Sequence, residues 1–132
     1  MNEGDLIMIK KTIEYVDYNG ENRKEDFYFN LSKAELMELE MSKNGGLSEY
    51  ILRIVNTSDN AALVSLLKEI VCKAYGEKSL DGKRFVKSKE LTEAFMQTEA
   101  FSELFMALAT NAEEASAFIN GIVPKNLVNE NK

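Results

Sequence analysis

The sequence predicts an α+β fold, mainly α, in which an N-terminal β-hairpin packs on a bundle of about five to six short helices. Three observations predict it. Apolar residues alternate over residues 5–31. From residue 32 onward they recur at helical spacing. The helical stretches are cut short by capping residues and glycines. The 132 residues suggest one domain, 1–124, made of the hairpin (5–31) and a helical part (32–124). Residues 125–132 are polar and are expected to form a flexible tail. A hydrophobic fraction of 45% supplies a core and argues against disorder.

In the hairpin, Ile7, Ile9, Ile13 and Tyr15 fall at alternating positions, with Lys11 interrupting the row. Phe27, Phe29 and Leu31 alternate with Tyr28 and Asn30. Asn19-Gly20 between them takes positive φ readily and suits a tight turn. A lone hairpin is marginal in water, so this one must pack on its own helices or add to a neighbour's sheet edge.

The helices follow in order. Ser32-Lys33-Ala34-Glu35 is a capping box, flanked by the staple pair Leu31 and Leu36. Gly45-Gly46 ends that helix, and Ser48 opens a second one through EYILRIVNT. Over residues 59–75, Leu63, Leu66, Leu67, Ile70, Val71 and Ala74 form one apolar stripe. Ser58 or Asp59 caps its start, and Gly76 follows its end. Asp81-Gly82 marks a turn, with a short hairpin as one form of it. Ser88 caps the next helix. The repeated TEAF of residues 92–95 and 98–101 raises a choice. Six residues turn a straight helix through roughly 600°, so Phe95 and Phe101 would point about 120° apart. Two short helices meeting near Gln97-Thr98, with Thr98 as cap, are favoured over a single helix buried on nearly all sides. Asn111 caps a last helix carrying Phe118 and Ile119, which Gly121 and Pro124 end.

Composition narrows function. The net charge of −6 disfavours nucleic acid as a partner. No apolar run is long enough for a signal-peptide core or a membrane span, so a soluble intracellular protein is expected. With no histidine, the usual base near neutral pH is absent and no catalytic residue is assigned. Cys72, the one cysteine, reads as a structural thiol rather than a nucleophile and fits a reducing compartment. Glu99, Glu113 and Glu114 sit in first turns, where carboxylates favour the helix start. No pattern suits zinc, calcium or a phosphate loop, so neither metal nor cofactor is expected.

Two features point to binding. Lys83, Arg84, Lys87 and Lys89 crowd around Phe85 and Val86, as a solvated loop or as a docking patch for an acidic partner or a second copy. Phe95, Phe101, Phe105 and Met106 offer more apolar surface than one helical seam uses, and they are the candidate partner-binding face.

The stretch AYGEKSLDGKRFVKSKELTEAFMQTEAFSELFMALATNAEEASAFINGIVP, Ala74 to Pro124, strongly resembles the tail assembly chaperones of long, flexible-tailed phages and prophages of Gram-positive bacteria. The resemblance extends back through FYFNLSKAELMELEMSKNGGLSEYILRIV and so covers most of the chain. Its most specific parts are AYGEKS…DGKRF, TEAFSELF and FINGIVP. The resemblance implies a non-enzymatic protein of the host cytoplasm, absent from the finished virion. It implies binding of the long helical tape measure protein, which is kept soluble while tail tube subunits are brought to it. It also implies a longer frameshifted isoform in many members. Homo-oligomerisation fits coverage of a long partner by many copies. Other readings are a connector retained in the virion, a regulator that binds a host protein, and a small enzyme.

Overall fold

The computed structural model describes residues 8–122. Strands β1 (Ile9–Val16) and β2 (Asn22–Phe29) pair antiparallel from Ile9 opposite Phe29 to Val16 opposite Asn22. Period two puts Ile9, Lys11, Ile13 and Tyr15 on one face with Phe27 and Phe29, and buries Ile13 and, fully, Phe29. Lys11 therefore shares the core-facing row and is half-buried there. The turn is wider than Asn19-Gly20 alone. The Asp17 carboxylate accepts from the Asn19 and Glu21 amides, and of the Asn-Gly pair Gly20 alone takes a positive φ, 82°. The expected strand residues 5–7 lie outside the described residues.

Helix α1 (Lys33–Met41) starts at the capping box, with both hydrogen bonds made: Ser32 Oγ accepts from the Glu35 amide and Glu35 from the Ser32 amide. Helix α2 (Leu47–Asn56) begins one residue before Ser48. The Glu40 carboxylate accepts from the Leu47 amide at 3.1 Å, so a side chain of the preceding helix serves the first turn. Helix α3 (Asn60–Ala74) is capped by Asp59, which accepts from the Ala62 amide; Ser58 takes φ 54° in the turn before it. Helices α4 (Lys89–Met96) and α5 (Glu99–Thr110) are separate. Ser88 caps the first, accepting from the Leu91 amide, and Thr98 the second, accepting from the Phe101 amide. The TEAF repeat thus spans a joint. Helix α6 (Ala112–Ile122) starts where the Asn111 side chain accepts from the Glu113 and Glu114 amides. It runs through Gly121 instead of ending there. A side-chain carbon at Gly121 would collide with Ile9, so this glycine lets α6 close on β1. Pro124 and the tail 125–132 lie outside the described residues.

The sheet has two more strands, β3 (Tyr75–Lys78) and β4 (Phe85–Val86), in the order β1-β2-β3-β4. The chain leaves α3 at Ala74, the last residue of its apolar stripe and one residue before the end of the expected range 59–75. Tyr75 becomes extended and pairs with Phe29, as Gly76 pairs with Tyr28. Gly76 is required by close approach. An added carbon would stand 2.6 Å from the Phe85 ring and 2.8 Å from the Val86 carbonyl. The Asp81-Gly82 turn joins β3 to β4 as a short hairpin.

One hydrophobic cluster joins the sheet and helices, including Phe29, Leu31, Leu39, Val71, Phe95, Leu104, Leu108, Phe118 and Ile122. Burying each large side chain contributes about 1.5–3 kcal/mol. Helices α5 and α6 pack on β1, and α5 is further tied to the β1–β2 turn by a 2.7 Å hydrogen bond from the Tyr18 hydroxyl to Glu99.

Candidate partner-binding surfaces

The aromatic residues of α4 and α5 form a ladder that climbs from the core to the surface. Phe95 lies at its foot, 3% exposed, stacked on Tyr75 and in contact with Phe27 and Phe29. Phe101 meets Phe95 edge-on at 5.5 Å and stacks against Phe105 at 5.7 Å. Phe101 and Phe105 are half-buried, and Met106 is 57% exposed. The structure thus brings Phe101 and Phe105 together on the flank of α5, while Met106, about 100° further round the helix, is exposed on its outer side. It places Phe95 beneath them, where it holds Phe101 but offers no surface itself. The order follows from the joint at Thr98, which turns α5 so that Ala100, Leu104 and Leu108 face the core.

The basic cluster divides. Lys83 and Arg84 are exposed beside the β3–β4 turn, and Lys78 stands nearby on β3. None of these three makes an ion pair among the described residues. Lys89 is exposed at the start of α4, 4.0 Å from Glu93. Lys87 points inward. Its Nζ donates to the Asn30 carbonyl at 2.7 Å, the Lys73 carbonyl at 2.8 Å and Glu35 at 2.7 Å. Burial pushes the Lys87 ammonium down further than the Glu35 carboxylate pulls it up. Lys87 is a clasp between β4, α1 and the end of α3.

A further surface was not singled out by spacing. An apolar groove of about 430 Å³ opens between α3, α5 and α6, lined by Leu63, Val64, Leu67, Leu108, Ala115 and Ile119 among others. Leu63 and Val64 are 42% and 44% exposed, and Leu52 and Val55 are exposed on the neighbouring α2. The available signal was the width of the α3 apolar arc: Val64 beside Leu63 exceeds a single seam. Leu80, at the β3–β4 turn, is fully exposed.

Cys72 is half-buried, its thiol donating to the Met96 sulfur at 3.2 Å. Burial pushes the thiol up, against the pull of Lys68, which keeps it from being a ready nucleophile. Among the described residues, no group of three or more Asp, Glu or Cys could hold a metal ion. No helix there is long and apolar enough to cross a membrane. Exposed apolar side chains and a turn that carries Lys83 and Arg84 suit protein contacts.

Comparison with known proteins agrees with a binding role. No curated protein and no solved structure matches the chain. The sequence model of one family, described as phage tail assembly chaperone, matches residues 8–132, nearly the whole chain, including both strands of the hairpin, the aromatic ladder and the basic turn. The chain belongs to the phage tail assembly chaperone family.

Proposed function

We propose that this chain acts without catalysis as a tail assembly chaperone that binds the tape measure protein in multiple copies in the host cytoplasm. It keeps that protein soluble, promotes tail tube assembly around it, and is absent from the mature virion. The observation that carries the reading is the outward side of α5, where Phe101 and Phe105 stack half-buried at the edge of the core and Met106, about 100° further round the helix, is exposed, on an otherwise acidic chain. A long helix with repeated apolar stripes is prone to aggregate until it is covered. Aromatic ring edges and a flexible thioether along one helix suit such stripes without demanding one sequence. Phe95 supports this face from beneath, and Lys83, Arg84 and Lys89 remain outside it for contacts with acidic surfaces or other copies.

The test uses one exposed position and one at the edge of the core. Met106→Asp and Phe105→Ala should fold with little change in helical signal and fail to retain the tape measure protein in solution on co-expression. Full retention by both variants would remove α5 as the contact face. Mass spectrometry of purified virions should find no peptide of this chain, whereas a stoichiometric amount would make it a structural tail component.

A further inference from the structure

We infer that Asn44 is a self-modifying site: its side chain cyclises onto the Gly45 amide and hydrolyses to aspartate and isoaspartate, promoted by Arg53. Asparagine is among the thermolabile residues, and a glycine after it leaves the main-chain nitrogen room to reach the side-chain carbon. The chain holds three Asn-Gly pairs, Asn19-Gly20, Asn44-Gly45 and Asn120-Gly121. All three asparagines are exposed, so exposure does not rank them. The glycine amides do. The Gly20 amide donates to the Asp17 carbonyl at 2.9 Å. Gly121 lies inside α6, where the helical ladder holds its amide. The Gly45 amide has no acceptor among the described residues.

The position of Gly45 explains this. Lys43 to Gly46 form a tight turn between α1 and α2, closed by the Gly46 amide donating to the Lys43 carbonyl at 2.9 Å. The Asn44–Gly45 peptide is the middle of that turn and makes no bond across it. Gly45 takes φ 79° there, which a residue without a side chain adopts freely. The carbonyl of the same peptide accepts from Arg53 Nη2 at 3.3 Å. Arg53 reaches it from α2, with its guanidinium 5.7 Å from the centre of the Tyr50 ring. A cation on the oxygen of an amide stabilises the anion left when the nitrogen loses its proton, and that anion is the attacking group. Glu49 also borders Gly45, so Arg53 supplies positive charge where a carboxylate would oppose the ionisation.

The chemistry needs only water. The Gly45 nitrogen gives its proton to solvent and attacks Asn44 Cγ. The Cγ–Nδ2 bond breaks, and Nδ2 takes up a proton and leaves as ammonia. Water then opens the cyclic imide at either carbonyl. One opening leaves an aspartate at position 44, and the other routes the main chain through the side chain as isoaspartate. Water is consumed, ammonia is released, and nothing is oxidised or reduced. Both products add negative charge to the α1–α2 loop, and isoaspartate lengthens the turn by a carbon. The same turn delivers the Leu47 amide to Glu40, so the start of α2 feels that change. The converted fraction records the age of a copy.

Peptide mapping of the purified full-length protein, aged in mildly alkaline buffer, tests it. Conversion at Asn44 should lead the other two sites, with ammonia released in step. Arg53→Gln, at an exposed position, should slow conversion at Asn44 by about two- to fivefold, the order of one exposed charge contact, and leave Asn19 and Asn120 at their wild-type rates. A variant that merely loosened the fold would speed conversion instead. In denaturant, the lead of Asn44 and the effect of Arg53→Gln should both vanish. Faster conversion at Asn19 or Asn120 overturns the inference, as does an unchanged or raised rate at Asn44 in Arg53→Gln. A lead that persists in denaturant would trace to local sequence and overturn the role of the turn and Arg53 as well. The chaperone reading stands or falls separately, on co-expression.

Discussion

The rings of Phe95 and Tyr75 stack with centroids 4.3 Å apart and planes within 12°, clamping α4 to β3. Phe95→Ala should therefore empty the centre of the core and cost about 3–5 kcal/mol in urea unfolding. Phe105→Ala, at the exposed end of the same ladder, should cost less than about 2 kcal/mol. Equal losses would show that Phe105 is as much a core residue as Phe95, and the α5 face would lose its anchor.

Lys87 satisfies three acceptors from three parts of the chain. Lys87→Met leaves Glu35 and two carbonyls without that donor, at an expected cost of about 1–3 kcal/mol. Lys83→Met in the adjoining turn should lie within about 0.5 kcal/mol of wild type. Similar small effects at both positions would mean that water replaces the Lys87 ammonium without loss.

The same clasp should give the acid limb of stability a component from Glu35. Burial alone would push this carboxyl up, but hydrogen bonds from Lys87 and the Ser32 amide overcome it and hold Glu35 below the ordinary glutamate range. A folded-state value below the unfolded one stabilises above the ordinary glutamate pKa of about 4.3. That contribution is lost as pH falls through the lower folded value. Glu35→Gln should be less stable than wild type at neutral pH, and the two urea midpoints should converge in acid. A constant difference down to low pH would assign the loss to packing.

Thr98→Ala removes the cap that starts α5 and should cost about 1 kcal/mol in thermal or urea unfolding. Thr98→Asn, which keeps an acceptor, should recover most of it. Failure of Asn to recover stability would shift the role of Thr98 to its other hydrogen bond, to the Phe95 carbonyl.

The features legible in the sequence are those decided by short-range bonds. The Ser32 box and the caps at Asp59, Ser88, Thr98 and Asn111 each join a side chain to an amide two or three residues on, so residue type and position suffice. The β1–β2 pairing is nearly as local. The rest depends on partners far away in the chain. Tyr75 leaves α3 because Phe29 offers it a strand, and no spacing near residue 75 records that. Lys87 turns inward because Glu35 and the Asn30 and Lys73 carbonyls converge on it. The groove exists only once α3, α5 and α6 meet, so its residues looked like ordinary core positions. Phe95 and Phe101 have the same local motif, and only the sheet beneath distinguishes the buried ring from the half-exposed one.

The most direct test of the central claim is light scattering on the complex recovered when this chain is co-expressed with its cognate tape measure protein. The account predicts a soluble complex containing many copies of this chain per partner. It also predicts that Met106→Asp, folded and soluble by itself, leaves the partner in the insoluble fraction. A partner that precipitates while the wild-type chain elutes alone would contradict direct binding.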